Sequence, residues 1–340
     1  MLHRLHMDKI YLRDSNIDFH HVKNILGITM PSIIIASTGP RMGKTAFVAA
    51  FSSILGTEKN VVNVHVMKDH DRWEKDQLNL NLLLSDHKGC LTTKQNEKLD
   101  KGLSIVEGSD NVKNNLSFAE KLDAVIILIS KYGDDIAKIS DQYGSRLLGV
   151  VVNNVSKHRI WNVENDLRKT LESKNITLLG WVPDDRTFLA PSIGDVVQHL
   201  DGEYLTNENT NDKLLDHFLI GGLVLDWGPS YFSIQDRTGV VVRGDRPDIQ
   251  LAALQTETTR AMILTKGVRP VEYVYYEAEQ VGIPLIVVDG STHDVTEKLE
   301  NLQEKIEFNH PEKLGHMINL LETNIDVDTI RNALIKPATR

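Results

Sequence analysis

The chain has 340 residues and sets 38 Lys and Arg against 47 Asp and Glu, a formal net charge of −9; this argues against a general nucleic-acid or anionic-membrane surface while leaving room for one local basic pocket. Hydrophobic residues at 41% and charged residues at 25% are ordinary for a globular protein of about two domains, and a single cysteine, Cys90, excludes an internal disulfide and a cysteine-rich metal site. With no signal-like apolar stretch near the start and no run that could span a bilayer, a cytoplasmic protein without a membrane partner is expected.

Residues 1–29 are polar and carry His3, His6, His20 and His21. No paired cysteine or carboxylate pattern accompanies them, so they read as a surface extension rather than a metal site. Residues 31–49, PSIIIASTGPRMGKTAFVA, then join a buried strand to a glycine-containing turn and an apolar helical run. A strand feeding such a turn at a helix N-terminus is an architecture that cradles phosphate. Its backbone N–H groups point inward, Lys44 neutralises phosphate charge, and the Thr45 hydroxyl can ligate Mg²⁺. The expected loop contacts are Gly39, Arg41, Met42, Gly43, Lys44, Thr45 and Ala46. The strict spacing wants glycine five residues before Gly43, where this chain has Thr38 with Gly39 one place later. The competing reading is a plain strand-turn-helix junction with an exposed lysine.

Further strands are expected over residues 60–68, 102–108, 124–130, 147–152 and 176–182, with helical stretches over 69–84, 134–143 and 161–173. Residues 94–101 are polar and read as helix and loop. Strands that are apolar along their whole length and alternate with helices predict an α/β fold, a parallel sheet covered on both faces. Right-handed crossovers then bring Lys68, Glu107 and Asn153 to the sheet edge that carries the phosphate loop. Lys68 there either meets phosphate or a substrate carboxylate, or simply snorkels to solvent. Glu107 stands where a Mg²⁺-directed acid would stand, with helix capping as its alternative. Asp71 and Asp76 compete for a second acidic role against a plain helix-dipole role. Asn153 suits a purine edge, or is only a turn residue beside Asn154.

Residues 200–212 are polar, Asn-rich and read as a linker. Beyond them a smaller α/β unit is expected, with strands over 238–243, 261–265 and 285–288 and helices over 248–255, 271–281 and 291–305. Asp248 is the expected N-cap of the first of these helices. Arg243 and Arg246 form either an anion pocket or a loop closed by internal salt bridges. The domain plan is therefore an extension over 1–29, a nucleotide-binding domain over 30–205, a second domain over 213–305, and a helical tail over 306–340.

The blocks STGPRMGKT, VNVHVMK, IVEGS, GVVVNNV and LGWVPDDRTFLAPSIGDV occur in an order that resembles the dethiobiotin-synthetase-like P-loop domain. The likeness is strongest to the version at the N-terminus of long phosphate acetyltransferases and their stand-alone relatives. FLIGGL, VVVRGDRPDIQLAAL, AMILTKG and VGIPLIVV resemble the DRTGG domain that follows there. The resemblance implies ATP and Mg²⁺: phosphate binding by Gly43, Lys44 and Thr45, metal near Thr45, Glu107 and Asp76, and adenine contact by Asn153. It also implies that Lys68 lies near a reacting substrate, which makes Lys44 and Lys68 the candidate catalytic residues. Lys68-Asp69 stands where the synthetases place Lys-Pro, which counts against dethiobiotin synthesis, and the acetyl-transferring domain is expected to be missing. The expected function is therefore a nucleotide-binding regulatory protein whose DRTGG domain senses a small-molecule effector, acting as a homo-oligomer. The alternative is an ATP-dependent ligase that activates a carboxylate or carbamate through an acyl phosphate.

Overall fold

Ile33–Ser37 form β1, and Ile33, Ile34, Ile35 and Ala36 expose no surface at all. A strand can be apolar at every position only if both its faces are covered. The computed structural model describes residues 32–58, 61–69, 71–92, 103–222 and 228–334. The extension expected over 1–29 and the polar stretch 94–101 lie outside the described residues. The chain divides into two compact units, Met1–Asp184 with Phe308–Arg340, and Asp185–Glu307.

In the first unit, β1 joins β2 (Val62–Val66), β3 (Cys90–Thr92), β4 (Leu103–Glu107), β5 (Val125–Lys131), β6 (Leu147–Val155) and β7 (Leu178–Pro183). The order across the sheet is β3-β2-β4-β1-β5-β6-β7, and every neighbouring pair is parallel. All strand C-termini therefore open on one edge. The crossovers include α1 (Lys44–Leu55), α2 (Trp73–Leu84), α3 (Val112–Leu122) and α4 (Ile136–Tyr143). Two of these elements escape the sequence reading. The edge strand β3 is three residues long, and α3 buries only Asn115 and Ala119. What starts α3 is a cap, the Asn111 side chain accepting from Lys113 N.

The second unit holds β8 (Glu203–Tyr204), β9 (His217–Gly221), β10 (Thr238–Arg243), β11 (Thr259–Thr265) and β12 (Leu285–Val287). They run in the order β8-β12-β11-β10-β9, parallel except that β8 pairs antiparallel with β12. Around them lie α5 (Ile193–Leu200), α6 (Pro247–Leu254), α7 (Glu272–Val281) and α8 (Thr292–Gln303). Capping boxes, Ser192 with Asp195 and Ser291 with Asp294, start α5 and α8.

The linker expected over 200–212 is corrected here, because that stretch is built into the second unit. Leu205 N donates to Leu285 O, and Asn207, in the left-handed region at φ 54°, donates from its amide to the carbonyls of Ala278 and Ile283. The asparagines mark turns stitched to the sheet, and the divide between the units falls earlier, at Asp184.

The tail forms α9 (Pro311–Asn324) and α10 (Val327–Leu334), which return to the first unit. There α9 packs on α1 and β7, Ile325 bridges Gly180, and Asp326 N donates to Leu179 O. Among the described residues, no helix is long and apolar enough to cross a membrane. Gly180 adopts φ 152°, and a Cβ there would collide with the Asn324 carbonyl. We expect Gly180→Ala to cost about 2 to 4 kcal/mol, because both the backbone angle and the close approach require glycine. Urea unfolding followed by circular dichroism checks this, and an unchanged midpoint would contradict the docking of the tail.

Candidate functional site

The loop leaving β1 is pinned before it turns. Thr38 N donates to Ile129 O at 3.0 Å, continuing the sheet by one residue. The Thr38 hydroxyl donates to Asp134 Oδ2 at 2.5 Å, the oxygen that also accepts from Lys131 N at 2.8 Å. Thr38 therefore uses its side chain at the position where the strict spacing would have glycine. Gly39 accepts the Ser37 hydroxyl on its carbonyl at 2.7 Å, and a Cβ on Gly39 would meet nothing within 4 Å. Glycine is needed further on, at Gly43, which is left-handed at φ 82° and is the N-cap of α1. A Cβ there would lie 3.2 Å from the Asn153 amide nitrogen, which donates to Met42 O at 2.9 Å. The Gly43 carbonyl accepts from Ala46 N and Phe47 N, so the helix begins at once.

The first helical turn places two side chains on the end of β4. Lys44 is buried, and its Nζ lies 2.5 Å from Asp110 Oδ1. The Thr45 hydroxyl donates to Glu107 Oε1 at 3.1 Å. Glu107 is 2% exposed, and its second oxygen, Oε2, is buried without a hydrogen-bond partner. Burial pushes the Glu107 carboxyl up to about 8, the negative charge of Asp76 adds to that, and Lys44 with the Thr45 hydrogen bond opposes it. The turn that carries Asp110 is braced from below by fully buried Asn115. Asn115 accepts from Ser109 N, donates to Ser109 O and donates to the Tyr143 hydroxyl.

The structure thus brings together Gly43, Lys44, Thr45 and Glu107, with Asp76 near enough to act on Glu107, and ties Asn153 to the loop through Met42. Ala46 is buried in the first turn and Arg41 is exposed at φ 54°. Lys68 is exposed, its Nζ 5.0 Å from the centre of the Trp73 ring. Asp71 is also exposed. Asp110 was not singled out from sequence; its only signal there is its place three residues past Glu107 in IVEGSD.

A hydroxyl and a buried carboxylate with an unpartnered oxygen are hard ligands that fit a small divalent cation. Among the described residues no group of three or more His, Cys, Asp or Glu could hold a metal. A cation at Thr45 and Glu107 would need further oxygens from a ligand, as Mg²⁺ commonly takes from phosphate.

In the second unit, Arg243 pairs through two nitrogens with Asp245, and Arg246 likewise with Asp248. Of the two readings of this loop, internal salt bridges hold. Asp248 is not the N-cap of α6; Arg246 takes that place, Pro247 opens the helix, and Asp248 lies in its first turn.

Residues 195–302 match the family model described as the DRTGG domain, so the second unit contains a DRTGG domain. The chain is similar to the phosphate acetyltransferase of a Synechocystis species, 22% identical over 68% of this chain and 37% of that protein. It is also similar to the phosphate acetyltransferase of Nitratidesulfovibrio vulgaris, 27% identical over 55% of this chain and 28% of that protein. The chain thus spans between 28% and 37% of the length of these relatives. A solved structure of the CBS and DRTGG domains of the regulatory region of Clostridium perfringens pyrophosphatase, complexed with diadenosine tetraphosphate, overlays 46% of this chain and 74% of that one. Its TM-score is 0.31 at 14% identity.

Four residues of this chain, Asp236, Arg237, Thr238 and Gly239, spell the start of the domain's name, and their contacts are structural. Arg237, left-handed at φ 55°, pairs with Asp216 at 3.3 Å, and Asp216 N donates to Arg237 O. Thr238 is fully buried, and a Cβ on Gly239 would lie 2.9 Å from the Phe218 ring.

The state of Glu107 makes stability depend on pH in a definite direction. The folded protein keeps on Glu107 a proton that the unfolded chain releases near pH 4.5, so raising pH from there to about 8 removes stability. In metal-free buffer, Glu107→Gln should abolish that part of the loss. The variant should exceed the wild type by about 1 to 3 kcal/mol at pH 8.5, with a smaller difference at pH 5. Urea unfolding at both values checks this, and a variant less stable at pH 8.5 would contradict it.

Proposed function

We propose that the first unit binds a purine nucleoside triphosphate as its Mg²⁺ complex, and that the chain is a regulatory protein in which the DRTGG domain responds to a small-molecule effector. The observation that carries the first part is the unpartnered Oε2 of Glu107, buried beside the Thr45 hydroxyl in the first turn of a helix that begins at a left-handed glycine. In this reading the loop from Gly39 through Arg41, Met42 and Gly43 to Ala46 surrounds phosphate with backbone N–H groups, and Lys44 supplies the positive charge. Thr45 and Glu107 hold the cation, with Asp76 behind them. Asn153 keeps the loop in shape through Met42 O, and the rest of its amide is available to a purine edge. When bound, Mg²⁺ would neutralise phosphate charge.

The local charge makes the metal part of the binding. Lys44 is already paired with Asp110, and Asp76 adds a second negative charge beside Glu107, so the site carries two carboxylates against one cation even while Glu107 keeps its proton. A bare triphosphate would add more negative charge to a site with little solvent to screen it. Support for the regulatory half comes from the DRTGG match over residues 195–302. No chemical step is assigned to Lys44 or Lys68.

ATP with Mg²⁺ at about 100 times its dissociation constant should stabilise the wild type by roughly 2.7 kcal/mol. ATP with EDTA should give little shift, and Lys44→Ala should lose the effect. Thermal unfolding of both proteins under both conditions tests this. Equal shifts in wild type and Lys44→Ala would overturn the phosphate-loop reading.

A further inference from the structure

Lys44 is 8% exposed at its side chain and has its ammonium against a carboxylate of its own chain, that of Asp110. An ammonium that neutralises phosphate and one that neutralises Asp110 need the same donor atom, Nζ. The contact is built into the fold rather than made by a loose side chain. Gly108 lies so close to Ile34, Ile35 O and Asn115 Oδ1 that any Cβ would meet them within 3 Å. Ser109 is held from both its backbone groups by Asn115, and Asn111 N donates to the Ser109 hydroxyl at 2.8 Å. Asn111 in turn caps α3. The backbone on both sides of Asp110 is thereby fixed, and only the Asp110 side chain, 40% exposed, has somewhere else to go.

We propose that Asp110 is an internal competitor for the phosphate position. It pairs with Lys44 in the free protein and must swing to solvent before a phosphate group can take Lys44. The inference rests on the nucleotide reading of the same site and adds a regulatory contact to it. An anion is admitted only if its own contacts exceed those of a carboxylate held beside the lysine. A metal-complexed polyphosphate meets that condition, because the loop N–H groups and the cation bind it as well. A single carboxylate or inorganic phosphate meets it poorly. The contact also keeps Lys44 neutralised in the free state, since a buried ammonium without a partner is costly.

Calorimetric titration of the full chain with Mg²⁺·ADP, Mg²⁺·ATP and inorganic phosphate tests this in the wild type, Asp110→Asn, Asp110→Ser and Asp110→Asn/Lys44→Ala. Asp110→Asn keeps the side chain's shape and removes its charge. It should tighten both nucleotides by about tenfold or more, the scale of one charge-assisted hydrogen bond, and should raise phosphate affinity in the same direction. Asp110→Ser should do likewise. Measured against Lys44→Ala alone, titrated alongside, the double variant should show no gain, because the gain is exercised through Lys44. Wild-type affinity in both single variants would overturn the competitor while leaving the nucleotide reading intact. Weaker binding in both would overturn it too, by showing that Asp110 belongs to the bound state. No heat from either nucleotide in wild type and single variants alike would overturn the nucleotide reading, and the competitor with it. Circular dichroism on each variant confirms folding, and Asp110→Ser stands in should the asparagine variant fail to fold.

Discussion

The hydrogen bond from Thr45 to Glu107 depends on a parallel sheet that puts the end of β4 next to the start of α1. A carboxylate at a strand end would ordinarily face water. Here the helix that starts one strand away packs on β4 and Glu107 is left 2% exposed, with the charge of Asp76 on α2 reaching it. Low dielectric then decides its chemistry: Glu107 keeps its proton to about pH 8, and one oxygen is left with no donor. Stability alone would favour a glutamine or an apolar residue at this position. A buried acid that destabilises its own free state is the kind of feature kept for a ligand.

Much of the first unit was legible because its strands are buried on both faces and so read as uninterrupted apolar runs. GVVVN and AVIILIS leave little else to be. The elements that escaped are those whose burial is slight or whose identity rests on caps. The short β3 exposes Leu91, and α3, whose Val112, Leu116, Ala119 and Leu122 do pack on the core, starts at a cap, Asn111, within a run of polar residues that hides that stripe. Composition misled over residues 200–212, where asparagine marked turns within a unit and not a hinge between two. The return of α9 and α10 to the first unit could not be read at all. It depends on Gly180, a glycine that sequence gives no reason to single out from the other glycines.

The site was half legible. Gly43, Lys44, Thr45 and Glu107 came from the order of strand, turn and helix, and the structure places them together. Asp110 and the Thr38–Asp134 tie did not, because neither aspartate ends an apolar strand as Glu107 does; both lie in polar turns where an acid is unremarkable. The arginines of the second unit, Arg243 and Arg246, were open to two readings, an anion pocket or internal salt bridges, and each is found paired with the aspartate two residues on. A basic residue followed at that spacing by an acid is better read as self-satisfied until a contact says otherwise.

If the first unit binds metal and nucleotide together, the proton on Glu107 must leave when the cation arrives, because a protonated carboxyl is a poor ligand. Calorimetry of Mg²⁺·ATP binding at pH 7, repeated in buffers of different ionisation enthalpy, measures that proton directly. The account predicts the release of about one proton per nucleotide bound in the wild type, and none in Glu107→Gln. Binding without proton release, or release that persists in Glu107→Gln, would contradict it.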